Sequence, residues 1–138
     1  YVLMHIRGNP QNMQEMPSYD NVIDEISTFF NTQIQSFNSC VAHQLIIDPG
    51  FGFGKSLEHN YDILNKLEKF NTLKLPIIVG VSRKSMINKV LKTKDAEALN
   101  GTTVINTIAL LNGAKILRVH DVKEAIEAIK IVEMLKAD

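Results

Sequence analysis

One acid, several cations and two histidines stand directly after four short apolar runs spread along 138 residues. Asp48 follows Leu45-Ile46-Ile47 and precedes Pro49-Gly50-Phe51-Gly52-Phe53-Gly54-Lys55. If ionised, its carboxylate can accept two parallel donors from a guanidine-like heterocycle edge. Lys84, in Gly80-Val81-Ser82-Arg83-Lys84-Ser85, is a point donor suited to a ring carbonyl or nitrogen. Arg118 and His120 are two residues apart, so on a strand they share a face and make a clamp for phosphate or pyrophosphate. Phe53 could cover a flat ring. Simpler uses compete: Asp48 before Pro49 suits a turn, Arg83 and Lys84 suit a solvated loop, Arg118 could pair with Asp121, and His43 and His59 read as surface residues. His5 stands open between a site and a structural role. The recurrence of polar groups at four run ends favours a single shared site.

The elements that must hold these groups follow from periodicity. Residues 1–4, 45–47, 77–81 and 116–119 form continuous apolar runs, the pattern of strands covered on both faces. Helical spacing lies between them. Val22, Ile26, Phe29, Phe30 and Ile34 share a face over 19–37, with Ser18 or Asp20 as cap. Leu57, Tyr61, Leu64 and Leu67 do so over 56–70, and a shorter helix follows Lys84. Another covers about 100–112 with Gly113 as its stop, and the last opens at Asp121, which resembles a capping box, and runs to about Lys136. Strand and helix alternate four times, which predicts one domain over 1–138 of parallel β/α units. In such folds ligands sit at the carboxyl ends of the strands. A strand at Tyr1 predicts that the chain was cut from something longer.

Composition excludes several classes. Net charge is zero, so broad attraction to nucleic acid or acidic membranes has no basis. No apolar run is long enough to span a bilayer. Cys40 is the only cysteine, which rules out an internal disulfide and fits a reducing, cytoplasmic setting. Gly54-Lys55-Ser56 looks like the end of a nucleotide-binding P-loop, but Pro49 stands where that motif needs glycine. Gly50, Gly52 and Gly54 alternate strictly, which fails the dinucleotide fingerprint as well.

MHIRGNPQNM, DPGFGFGK, GVSRKSMI, NGTTVINTIALLNGA and RVHDV, in that order, closely resemble the second half of the dihydropteroate synthase family. The resemblance covers essentially the whole chain and implies strands 5–8 of a (β/α)₈, or TIM, barrel. It implies condensation of dihydropterin pyrophosphate with p-aminobenzoate, releasing pyrophosphate and giving dihydropteroate for folate synthesis. Carried over by motif, Asp48 would bind the pterin's amino-pyrimidine edge, Lys84 its other polar edge, and Met4 would pack on the ring. Arg118 and His120 would hold the pyrophosphate. Phe53, Lys84 and Ser85 would border the p-aminobenzoate pocket, which sulfonamides also occupy. Gly80 would leave room for substrate, and Arg83 would have a supporting role. The family's first-half motifs are absent. They supply further pterin contacts, mobile loops and the expected magnesium ligands, so no Mg²⁺ ligand falls in this chain and the 138 residues alone are expected to be weak or inactive. The resemblance also implies a homodimer through the C-terminal helices. Two alternatives remain: the pterin-binding domain of a methyltetrahydrofolate methyltransferase, against which SRKS and RVHD argue, and a non-catalytic barrel fragment.

Overall fold

The computed structural model of the chain describes residues 1–8, 18–37 and 44–135; Pro10, Pro17, Cys40 and His43 lie outside them. Strands β1 (Val2–Met4), β3 (Ile78–Val79) and β4 (Ile116–Leu117) are shorter than the apolar runs that contain them, whereas β2 (Ile46–Asp48) is shifted one residue past its run and ends on Asp48. Gly80 follows β3 directly and Arg118 follows β4, so these two strands end before their runs do. β1 pairs in parallel with β2, placing Met4 opposite Asp48, and β3 pairs in parallel with β4. A parallel bridge between Ile47 and Ile77 joins the two pairs, so the strands lie in sequence order. Pro76 enters β3 without costing a bond: it has no N–H to give, and its carbonyl accepts from Ile47 N–H at 2.9 Å.

Five α-helices follow among the described residues: α1 (Val22–Ser36), α2 (Leu57–Asn65), α3 (Ser85–Leu91), α4 (Leu99–Leu111) and α5 (Val122–Leu135). The α1 cap is Asn21, whose Oδ1 accepts from the N–H groups of Ile23 and Asp24, and not Ser18 or Asp20. Asp20 instead gives its own N–H to Glu25 Oε1 at 2.9 Å. The helix expected over 56–70 breaks after Asn65 and continues as a 3₁₀ segment, Leu67–Leu73, which keeps Leu67 and Phe70 in the core. Asp121 opens α5 with its backbone carbonyl, which accepts from Ala125 N–H, while its carboxylate is engaged elsewhere. Ile26, Phe30, Ile47, Ile63, Leu67, Phe70, Ile77 and Val79 are sealed from solvent and form the core between strands and helices. Phe30 meets Phe70 edge-to-face at 6.0 Å. No helix among the described residues is long and apolar enough to cross a membrane.

Gly101 lets α3 approach α4. A Cβ there would stand 2.4 Å from Ile87 Cγ2 and 2.7 Å from Leu91 Cδ1. Gly101→Ala is therefore expected to destabilise by about 1–3 kcal/mol through overpacking, partly offset by about 1 kcal/mol of helix propensity. The urea midpoint checks this; a midpoint at or above that of the parent would show that Ile87 repacks freely.

Candidate active site

The glycine run after β2 folds onto the chain leaving β1, and two glycines make that possible. Gly50 has φ 71°, and a Cβ on it would stand 1.9 Å from the His5 carbonyl oxygen. Gly54 has φ 67° and the same relation to the Arg7 carbonyl, at 2.2 Å. Any side chain at either position would collide with backbone, so only glycine fits. The loop is tied down by neighbours. Asn60, buried on α2, accepts from Gly52 N–H at 2.7 Å and donates to the Ser56 carbonyl at 2.6 Å. Ser56 and His59 close a capping box, so His59, expected as a surface residue, is half-buried and caps α2. Tyr19 donates its hydroxyl to the Gly54 carbonyl at 2.9 Å and carries the Arg7 guanidinium over its ring at 4.3 Å. Arg7 is thereby spent on Tyr19 and on Glu25, 2.6 Å away.

Beneath this loop lies a buried lysine. Lys55 is 4% exposed; its Nζ donates to His5 Nδ1 and to the Phe53 carbonyl, both at 3.0 Å. Burial, reinforced by Lys84 and opposed by Asp48, lowers the Lys55 pKa to about 7. His5 is buried beside it, and burial followed by the charge of Lys55 lowers its pKa to about 4. His5 is thus neutral at pH 7, and its Nδ1 serves as an acceptor.

Asp48 is 7% exposed and accepts the Gly50 N–H on Oδ1 at 2.8 Å. Among the described residues no hydrogen bond takes up Oδ2. Burial raises its pKa above the ordinary carboxylate value, opposed by the Gly50 N–H and then by the charges of Lys84, Arg118 and Lys55. Lys84 donates to the Phe51 carbonyl and lies 4.7 Å over the Phe53 ring. Burial, reinforced by Arg118 and opposed by Asp48, lowers its pKa to about 8.

At the ends of β3 and β4, Gly80 faces Arg118: a Cβ on it would meet the guanidinium at 3.0 Å. The space that Gly80 opens is thus filled by the arginine. Arg83, not Arg118, holds Asp121, with Nε and Nη2 at 3.0 and 2.6 Å from the two carboxylate oxygens. Arg83 sits in the left-handed region at φ 55°, and Thr102 Oγ1 accepts its N–H at 3.0 Å. His120 is exposed, with its Nδ1 2.9 Å from Ser82 Oγ. Ser85 is exposed at the start of α3 and, with Gly52, Lys55, Asn60 and Lys84, lines a cavity of about 20 Å³. That is about one water's worth of space.

The structure therefore brings the anticipated residues to one region at the strand ends. Met4 and Asp48 are paired in register; Asp48, Lys84 and Arg118 feel one another's charge; Phe53 lies under Lys84. Gly80 touches Arg118, and His120 is tied to the β3 exit through Ser82. Lys55, Asn60, Tyr19 and Ser82 were given no part by the sequence. Lys55 and Ser82 stand within DPGFGFGK and GVSRKS, but those motifs show neither the burial of Lys55 nor the contact of Ser82 with His120.

Parallel strand–helix units with an acid and several cations at the carboxyl ends of their strands define an α/β ligand-binding domain. A family model described as pterin binding enzyme matches residues 1–120. The chain belongs to the pterin-binding enzyme family. It is 47% identical over 133 residues to the dihydropteroate synthase of Escherichia coli K12, an alignment that covers 95% of this chain and 47% of that protein. The crystal structure of the Yersinia pestis dihydropteroate synthase with a sulfonamide drug complex superimposes with a TM-score of 0.93 at 42% identity, over 99% of this chain and 50% of that one. The dihydropteroate synthase of Thermus thermophilus in complex with 4-aminobenzoate gives 0.91 at 35% identity, over 99% and 56%. The chain spans about half the length of the curated relatives it matches.

Proposed function

We propose that this chain carries part of the active site of a dihydropteroate synthase, on the second four strand–helix units of a (β/α)₈ barrel. The observation that carries this reading is the convergence of Asp48, Lys84 and Arg118 at adjacent strand ends, close enough that Lys84 and Arg118 both act on the Asp48 carboxylate. Asp48 takes the amino-pyrimidine edge of the pterin on its free oxygen, Lys84 donates to the ring's other polar edge, and Met4 packs on the ring. Phe53, Lys84 and Ser85 border the p-aminobenzoate. Arg118, lying over Gly80, and His120 hold the pyrophosphate.

In the reaction the bond from the pterin methylene to the pyrophosphate oxygen breaks, and its electron pair leaves with the oxygen. The arylamine nitrogen forms the new C–N bond and then gives up a proton. Charge grows on the leaving group, so cations fixed beforehand at its position lower the barrier most, and the amine needs positioning more than deprotonation. Magnesium finds no matching donor set here: no cluster of three or more acids, histidines or cysteines occurs among the described residues, and the single carboxylate of the site is surrounded by cations. The step derived for these residues runs through Arg118, His120 and Lys84 alone. A homodimer through the C-terminal helices belongs to the same proposal, supported by the exposed Ile126, Ile131, Met134 and Leu135 of α5.

Calorimetry tests the reading. The protein is expected to bind 6-hydroxymethylpterin, and to bind the pyrophosphate-bearing pterin more tightly; binding of a methylated folate instead would favour methyl transfer, and no binding would leave a scaffold. Arg118→Ala is expected to weaken the pyrophosphate-bearing pterin more than the pyrophosphate-free one. Equal losses would make Arg118 a structural residue.

A further inference from the structure

We propose that Ser82 is a positioning residue that holds His120 in the tautomer carrying its proton on Nε2, so that the exposed edge of the ring donates to the leaving diphosphate. The proposal deepens the function given above and rests on it for the identity of the anion.

The argument is a count of protons around one oxygen. Ser82 is 5% exposed, in the turn between β3 and α3. Its Oγ accepts the backbone N–H of His120 at 3.2 Å, a donor that has no alternative form. The imidazole Nδ1 of the same residue lies 2.9 Å from the same oxygen. Among the described residues the hydroxyl proton has no other acceptor. If Nδ1 carried the proton, two donors would converge on Oγ, and the hydroxyl proton would be left unpaired in a buried turn, which folded proteins avoid. If Nδ1 is bare, the hydroxyl donates to it, the backbone N–H is accepted by a lone pair, and every group is satisfied. The neutral ring then keeps its one proton on Nε2, the edge turned away from Ser82.

The turn is fixed at Arg83, the residue after Ser82. Arg83 N–H is bound by Thr102 Oγ1 and the Arg83 guanidinium by Asp121, the residue after His120. The serine and the histidine are therefore held together independently of their own contact. A neutral histidine whose outward edge is a donor attracts a phosphoryl oxygen; the opposite tautomer would present a lone pair to it. Ser82 thus selects which face of the ring's chemistry the anion meets, without touching the anion.

Long-range ¹H–¹⁵N correlation of the histidine rings, at a pH where imidazoles are neutral, reads the tautomer directly. His120 of the parent protein is expected to show its proton on Nε2 only. Ser82→Ala is expected to give a mixture, and Ser82→Thr, which keeps the hydroxyl, to restore the single form. In calorimetry Ser82→Ala is expected to bind inorganic pyrophosphate about tenfold more weakly, with 6-hydroxymethylpterin binding unchanged and Ser82→Thr close to the parent. A parent His120 protonated on Nδ1 overturns the inference, and that measurement needs no variant to fold. So does a Ser82→Ala protein with an unchanged tautomer or unchanged pyrophosphate affinity. If the parent binds neither pterin nor pyrophosphate, the proposed function fails and takes the diphosphate with it, whereas normal parent binding with an indifferent Ser82→Ala defeats the Ser82 assignment alone.

Discussion

Asp48→Asn is expected to weaken 6-hydroxymethylpterin binding by about 1.5–3 kcal/mol, the usual cost of losing a hydrogen bond to a charged group. That corresponds to roughly ten- to a hundredfold. The substitution keeps the shape of the side chain. Its Oδ1 can still accept the Gly50 N–H now held at 2.8 Å, so the glycine loop keeps its anchor. What changes is the other arm: a free carboxylate oxygen becomes an amide NH₂, which faces the ring's donors with donors of its own. Fold stability should move the other way or not at all, because burial is the largest influence on Asp48 and it disfavours the charged form. The pair of measurements, calorimetry and urea midpoint, is therefore diagnostic. Lost affinity with retained stability places the carboxylate on the ligand. Unchanged affinity removes Asp48 from the pocket, and lost stability with lost affinity makes it a loop anchor. The parent's pterin affinity should also fall in acid, through a pH above the ordinary carboxylate value, because the Asp48 pKa is raised.

The parts of this site that could be read in the sequence are those set by local chemistry. Glycine and proline after an apolar run announce a forced turn, and the loop from Asp48 to Lys55 has the positive φ values at Gly50, Gly52 and Gly54 that such a run implies. The four apolar runs became four parallel strands in chain order for the same reason: burial on both faces is written as continuous apolar sequence. The misread parts depend on contacts and backbone turns that residue types alone do not specify. Arg83 finds Asp121 38 residues away because its backbone is turned to φ 55°, a conformation with no residue signature. Residues 18–21 hold three good caps, Ser18, Asp20 and Asn21, and Glu25 engages the Asp20 N–H while Asn21 caps the helix. The split of the helix at Lys66 was invisible, because the 3₁₀ segment keeps Leu67 and Phe70 in the core. Lys55 is the largest omission. Its burial exists only when the glycine run closes over His5, 50 residues earlier, so nothing near it in the chain marks it as an interior cation.

That closure makes Lys55 the residue whose replacement should alter the pH dependence of folding most. Its pKa is about 7 in the folded chain and 10.5 as an ordinary lysine. Between those values the unfolded chain binds more protons than the folded one, so stability rises with pH through this window. Below pH 7 both states carry the proton and the penalty of burying the charge is fully present; above pH 10.5 it is gone. Lys84, about 8 in the folded chain, contributes in the upper part of the same window with the same sign. His5, about 4 against 6.5, gives a separate rise at acid pH, complete by about 6.5. Lys55→Met should remove up to one proton's share of the slope above pH 7, about 1.4 kcal/mol per pH unit at most, and leave the Lys84 share in place. The absolute stability of the variant balances two terms. Met fills the lysine's volume and carries no buried charge, but the Phe53 carbonyl loses its 3.0 Å donor and His5 Nδ1 loses its own. Unpaired buried acceptors cost about 1–3 kcal/mol each, so the variant should be less stable than the parent at pH 8, where the parent's amine is largely neutral yet still donates. At pH 6 the difference should narrow, because the parent there carries the full desolvation cost. Urea midpoints of the two proteins from pH 5 to pH 9 measure this difference directly. Parallel curves across that range would mean that Lys55 titrates as a solvated amine and does not hold the two loops together from within.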